Sequence, residues 1–168
     1  LRQFSVLKKI VFLAFENFKK VMLKLPYFIM TLNLSFRINI YNKMISIKQI
    51  NEKDIDLCYE LDSNTISLWS KNQWAKEFKK NGIKVFGLLF SNLVIGICVL
   101  HVVLDEAQIN FFAVSKKYRK KGFGSYLMNY LIKQCEKLNI KKLLLEVSQN
   151  NVIAEEFYSS FNFSTVGI

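Results

Sequence analysis

Residues 109–131, INFFAVSKKYRKKGFGSYLMNYL, constrain the fold of this chain more than any other stretch. Ile109 to Val114 is a short run of strand formers. Ser115 to Lys121 is polar and strongly cationic. Gly122 and Gly124 bracket Phe123, and from Phe123 the apolar residues recur at Leu127, Tyr130 and Leu131, which is helical spacing. The order is therefore strand, basic glycine loop, amphipathic helix. The first N–H groups of a helix have no partner within it, and the positive end of its dipole points the same way. Glycines let the backbone come close to a guest, and the natural guest is a phosphate.

G-x-G alone has little specificity. The Walker pattern is absent, because nothing in Gly122 to Ser125 supplies its Lys-Ser/Thr step, and the dinucleotide pattern G-x-G-x-x-G fails at Leu127. The loop taken by itself leaves open an ordinary strand–turn–helix with a solvated basic turn.

The 168 residues, 51% apolar and 14% aromatic, suffice for one domain with a real core. Of the net charge of +11, seven units fall in residues 1–43, where eight Lys/Arg face the single Glu16. The rest of the chain is only mildly basic, so direct nucleic-acid binding by a folded face is not expected. Cys58, Cys98 and Cys135 form no C-x-x-C, and the lone His101 offers no metal spacing, so no metal is expected. Thiols in apolar surroundings point to burial in a reducing compartment, and a cytoplasmic monomer is the expectation.

Residues 1–43 differ in texture. Val6, Leu7, Ile10, Val11, Ala14, Phe18, Val21, Met22 and Leu25 follow helical spacing, with lysines on another face, and Pro26 ends or kinks that helix. The apolar run Ile10 to Phe15 is too short to span a bilayer. A cationic amphipathic helix can lie on an anionic membrane, and that is the lesser reading. We expect 1–43 to be a basic amphipathic extension, accessory or spurious, with Met44 as a plausible start, and 44–168 to be the folded domain.

Ile45 to Ile50 reads as a first strand. Asn51 is a candidate N-cap for a helix carrying Ile55, Leu57, Cys58 and Leu61. A second helix is expected from about Ser67 to Lys80, closed by Asn81-Gly82. Val85 to Phe90 and Leu93 to Leu104 read as strands joined by a tight turn at Ser91-Asn92, with Gly96 marking a bulge or a close approach. After the turn at Asp105-Glu106 comes the strand Ile109 to Val114. Beyond the central helix, Lys141 to Val147 is a strand, Asn150-Asn151 caps a helix carrying Ala154, Phe157 and Tyr158, and Phe163 to Ile168 begins a last strand. The order β-α-α-β-β-β-α-β-α-β implies a mixed α/β sheet, mostly antiparallel, with a parallel pair beside the loop.

The pattern Arg119-Lys120-Lys121-Gly122-Phe123-Gly124, R/Q-x-x-G-x-G/A, resembles the acetyl-CoA pyrophosphate loop of the GNAT acetyltransferases. From Met44 onward nearly the whole chain resembles that family, and within it the RimI-type ribosomal-protein-alanine N-acetyltransferases. Val102 to Ala107, Ala113-Val114, Leu145-Glu146-Val147, Asn150-Asn151, Ala154, Tyr158 and Phe163 extend the match.

The resemblance implies a GNAT fold and transfer of acetyl from acetyl-CoA to a protein N-terminus, that of a ribosomal protein beginning with alanine. It places acetyl-CoA in a splay between the strands at 109–114 and 141–147. Arg119, Lys120, Lys121, Gly122, Phe123, Gly124 and Ser125 would hold the pyrophosphate. Ala113 and Val114 would pair with the pantetheine arm, and Asn151 and Tyr158 would touch the cofactor. Glu106 would be the base and Tyr118 the acid, with Tyr158 as rival acid. Phe111 stands where relatives carry Asn, and Asn162 where they carry Gly. Relatives continue past Ile168 with one more strand inside the sheet, so the last strand is expected to be missing here. Two alternatives stay open: a GNAT enzyme acting on a lysine or a small-molecule amine, and an inactive basic module that binds ribosomes or membranes.

Overall fold

A computed structural model describes residues 44–148 and 150–166; the amphipathic helix read in residues 1–43 lies outside them. Strands β1 (Ile45–Ile50), β2 (Ile83–Phe90), β3 (Leu93–Val103), β4 (Glu106–Val114) and β5 (Lys142–Leu145) form one sheet in the order β1-β2-β3-β4-β5. The first three pairings are antiparallel, and β4 with β5 is parallel. Helices α1 (Ile55–Ser63) and α2 (Lys71–Phe78) follow β1, α3 (Phe123–Lys137) follows β4, and α4 (Val152–Ser159) follows β5.

Two apolar cores lie on opposite faces of the sheet. Cys58, Leu61 and Trp74 from α1 and α2 close over Val85, Ile97, Val99, Phe111 and Ala113. Phe123, Leu127, Met128, Leu131 and Cys135 from α3 close over Phe86, Leu88, Cys98, Leu100, Ala107 and Ile109, with Phe157 and Tyr158 of α4 against the same core. All three cysteines are unpaired and buried. Burial, with Asp54 nearby, pushes the Cys58 thiol up to about 12.

The second helix begins later than the spacing predicts, at Lys71 instead of near Ser67. The cause is Asp62, fully buried at the end of α1. Its carboxylate accepts from the N–H of Leu68 and of Trp69, each at 2.8 Å, and from Trp74 Nε1 at 3.1 Å. Those two amides cannot then enter a helix. Ser70 caps α2 instead: its hydroxyl accepts from the Gln73 N–H, and Gln73 Oε1 accepts from the Ser70 N–H.

Ser91 and Asn92 both have positive φ, 50° and 66°, as a two-residue hairpin demands. Asn162, at φ 66°, is left-handed where a helix end calls for it. Gly82 has φ +77°, and a Cβ there would lie 2.1 Å from the Val102 carbonyl oxygen. Gly82→Ala is expected to destabilise the fold by more than about 1 kcal/mol, read as an earlier midpoint in urea unfolding.

Two bulges shape the sheet. Leu88 faces Gly96 and Leu89 faces Val94, so Ile95 is the extra residue of β3. Val99 faces Phe111 and Leu100 faces Ile109, so Asn110 is the extra residue of β4. The second bulge changes which face each residue takes. Ala107 and Ile109 pack towards α3, whereas beyond Asn110 it is Phe112 and Val114 that do so, and Phe111 and Ala113 turn to α1 and α2.

One expected element differs. Residues 163–166, read as the start of a strand, have no regular structure, and β5 has no second strand neighbour among the described residues. A strand segment without a ladder partner gains no backbone hydrogen bonds to hold it extended. The strand expected over 141–147 is also shorter, ending at Leu145 where its pairing with β4 stops.

Candidate active site

The parallel ladder runs from Glu106 opposite Lys142 to Ile109 opposite Leu145 and goes no further. β4 continues to Val114, still paired with β3 on its other side. Residues 110–114 thus show one backbone edge with no strand partner among the described residues. An edge of this kind pairs with extended amide-bearing groups. It is about 16 Å long at the usual rise per residue.

At the far end of that edge lies the cationic turn. Lys116–Tyr118 form a 3-10 turn, and Arg119 Nε donates to the Val114 carbonyl at 2.8 Å, which ties the loop to the strand end. Lys121 Nζ donates to the Lys117 carbonyl at 2.8 Å. Lys120 and Gly122 are both left-handed, at φ 57° and 83°, and a Cβ on Gly122 would meet nothing within 4 Å. Glycine is needed there for backbone conformation, not for packing. Helix α3 starts at Phe123, and the N–H groups of Gly122, Gly124 and Ser125 find no acceptor among the described residues. Unpaired amides, a helix N-terminus and five nearby Lys/Arg side chains (116, 117, 119, 120 and 121) suit a diphosphate. The Ser125 carbonyl accepts from Asn129 Nδ2.

Not every residue singled out in the sequence is brought to this cleft. Glu106 opens β4, opposite Val103 and Lys142, and its carboxylate accepts from Lys142 Nζ at 2.8 Å. It lies four residues before Asn110, about 13 Å back along the strand, where β4 and β5 are still joined. The exposed pair holds the lysine proton more tightly than usual, chiefly through the hydrogen bond to Glu106. Tyr118 stands at the opposite limit, in the turn itself. Its ring lies 6.0 Å from Phe90 and 5.8 Å from Phe123, with Lys117 and Lys121 ammoniums 5.9 and 5.7 Å from the centroid. A base and an acid at these two places would be separated by the whole free edge, so the structure does not assemble them into one centre.

Other groups stand near the place where the ladder ends. Continuing the parallel register by one residue sets Glu146 opposite Asn110, one on each lip of the splay. Leu143 and Leu145 pack towards α3; Glu146, one residue past the end of β5, is exposed. Tyr158, on α4, is half-buried against Phe112 and Phe163. Burial pushes its hydroxyl up to about 12, with Cys98 a lesser contributor. Glu146 and Tyr158 both line a cavity of about 1070 Å³ between β5, α3, α4 and residues 161–166, which includes no residue of β4 and so lies on the far side of β5 from the free edge. Asn151 caps α4, its Oδ1 accepting from the Ala154 N–H at 3.2 Å, so its carbonyl is committed to the helix. The sequence carries a signal for Glu146, since a carboxylate directly after an apolar strand run is conspicuous. Glu77 carries none: it is the single acid of a lysine-rich polar helix, and the residue it bonds lies 33 positions away.

The model of the acetyltransferase (GNAT) family matches residues 49–163. The chain belongs to that family. It is 30% identical over 130 residues to the [ribosomal protein bS18]-alanine N-acetyltransferase of Haemophilus influenzae, covering 74% of this chain and 85% of that protein. It is 29% identical over 125 residues to the enzyme of the same description from Haemophilus ducreyi, covering 73% of this chain and 84% of the relative. The crystal structure of the ribosomal-protein-S18-alanine N-acetyltransferase from Escherichia coli superposes with a TM-score of 0.70 at 27% identity, over 74% of this chain and 80% of that one. The fold is that of a GNAT acetyltransferase. Among the described residues no helix is long and apolar enough to cross a membrane, and no group of three or more His, Cys, Asp or Glu could hold a metal ion.

Proposed function

We propose that this chain transfers the acetyl group of acetyl-CoA to the N-terminal α-amine of a protein, a ribosomal protein beginning with alanine. The observation that carries the reading is the splay: a free edge at 110–114 with a diphosphate-suited turn at one end, Asn110 and Glu146 just beyond the paired run of β4 and β5 at the other, and Tyr158 packed on Phe112 of that edge. The relatives' names support the acceptor. The residues present fit the co-substrate. Amides of Gly122, Gly124 and Ser125 would take the pyrophosphate, the edge from Asn110 to Val114 would pair with the pantetheine amides, and the length of that edge delivers the thioester to the Asn110 end.

The amine nitrogen attacks the thioester carbonyl; a C–N bond forms and the C–S bond breaks. Glu146 takes the proton the amine loses, directly or through one water. Tyr158, protonated at any working pH, gives its proton to the departing thiolate. The chemistry is undemanding, because an α-amine with pKa near 7.7–8.0 is about a tenth to a fifth neutral at pH 7. The base assigned from sequence at Glu106 therefore moves to Glu146, and the acid from Tyr118 to Tyr158.

Titration calorimetry with acetyl-CoA, followed by acetyl transfer to Ala-initiated peptides with free and with blocked N-termini, tests the reading. Binding, with transfer only to free N-termini, is expected. Absence of binding, or transfer to internal lysines of blocked peptides instead, overturns it. The acceptor kcat/KM should rise with pH until the α-amine is neutral, near pH 8. It should then stay level to about pH 10, because the Tyr158 proton is held up to about 12. A falling limb centred below pH 10 would remove Tyr158 as the acid.

A further inference from the structure

The bulge residue Asn110 is the first position of β4 beyond the ladder with β5. Its side chain does not point to open solvent. Nδ2 donates to Oε1 of Glu77 at 2.7 Å, a contact that spans 33 residues of sequence. Glu77 sits on α2 and is buried, at 5% exposure, and its other oxygen Oε2 receives Lys80 Nζ. A carboxylate paired with a lysine ammonium accepts hydrogens and offers none. It can therefore face only the NH2 of the Asn110 amide. This decides the flip of that amide: Oδ1 occupies the other branch, and it accepts no hydrogen bond among the described residues.

Two further placements give that oxygen a use. Asn110 and Glu146 stand just beyond the paired run of β4 and β5, one on each lip of the splay; Asn110 is held on the α1–α2 side by Glu77, and Glu146 is exposed. Tyr158 belongs to the other face, packed with Phe112. An amine arriving from the α1–α2 side meets an acceptor-only carboxylate on one lip and an amide carbonyl on the other, and an amine is a donor to both.

We propose that Asn110 orients the acceptor amine through Oδ1, and that Glu77 is the positioning residue that keeps the carbonyl, not the NH2, turned towards it. The proposal rests on the acetyl-transfer reading above. With the amide reversed, an N–H would face the amine and repel it. Two hydrogen bonds aimed at one nitrogen also set the direction of its lone pair towards the thioester, which is an orientation effect.

The test uses the full chain in four forms: Asn110→Ala, Asn110→Asp, Glu77→Gln, and the double variant Asn110→Asp with Glu77→Gln. Readouts are the acetyl-CoA dissociation constant by calorimetry, the melting temperature, and kcat and KM for a free N-terminal peptide. Loss of one such hydrogen bond should lower the acceptor kcat/KM of Asn110→Ala about tenfold, with acetyl-CoA affinity unchanged within about twofold. Asn110→Asp alone sets two carboxylates face to face and should lose more. In the double variant the amide introduced on α2 can donate to the carboxylate introduced on β4, again leaving an oxygen for the amine, so most of the acceptor kcat/KM should return. Glu77→Gln alone frees the flip and should lie between wild type and Asn110→Ala.

A purely structural role predicts a different pattern, in which acetyl-CoA affinity and acceptor kinetics fall together with the melting temperature. That pattern, or an unchanged acceptor kcat/KM in Asn110→Ala, overturns the proposal while acetyl transfer by the wild type stands. A wild-type chain that binds no acetyl-CoA overturns both.

Discussion

Glu146→Gln is expected to lower kcat for acetyl transfer by about 10²–10⁴-fold, with acetyl-CoA binding intact. The glutamine keeps the size and the position at the lip of the splay but cannot take a proton. The loss should shrink as pH rises past the acceptor's own pKa, because an amine already neutral needs less help in its first step. The comparison that gives the result its meaning is Glu106→Gln. That carboxylate is bound to Lys142 on the joined part of the ladder, so its removal should leave kcat near wild type. Single-turnover mixing with a free N-terminal peptide separates chemistry from product release. If Glu106→Gln abolishes transfer and Glu146→Gln does not, the assignment made from the register of β4 and β5 is wrong.

Asp62→Ala should produce the largest stability loss outside the apolar core. Three donors converge on this buried carboxylate, two of them backbone amides and the third the indole of the fully buried Trp74. Alanine leaves all three without an acceptor, and hydrogen bonds to a charged group are the stronger kind. The expected cost is about 3 kcal/mol or more, equivalent to a fall of roughly 10 °C in melting temperature for a domain of this size. Trp69 and Trp74 meet edge to face with centroids 4.8 Å apart, and both rings contact Phe111, at 5.4 and 5.0 Å. Loosening the 64–70 segment therefore also loosens the wall beside the splay. Thermal unfolding followed by tryptophan fluorescence checks both effects. A shift smaller than roughly 2 °C would mean that the freed amides find water at little cost.

The elements easiest to read in the sequence are those whose signal is local. Phe123, Leu127 and Leu131 repeat at helical spacing and are buried along one face of α3. Ser91-Asn92 announces a hairpin because both residues tolerate positive φ. The cationic loop with Gly122 is legible because backbone conformation restricts residue type directly. Local spacing starts the second helix several residues early, because no local pattern reports that Asp62 takes the amides of Leu68 and Trp69. The bulge is invisible for a related reason. INFFAV is an almost continuous apolar run, and both faces of β4 are covered, so there is no alternation to break.

By itself, then, the chain's residue order gives most of the elements, though not the missing strand after Phe163, together with the family and the cationic glycine turn, since each depends on neighbours within a few positions. Only tertiary structure shows where these side chains lie: Glu106 on the joined ladder, Glu146 just past its end, Tyr118 in the cationic turn and Tyr158 against Phe112. The family resemblance implies Glu106 and Tyr118, and nothing local in the sequence places Glu106, Glu146, Tyr118 and Tyr158 relative to one another. They are sorted by where the β4–β5 ladder stops and by the extra residue at Asn110, and both features arise from pairing between strands. A one-residue change of register moves a side chain to the other face of a sheet, and no local composition records that choice.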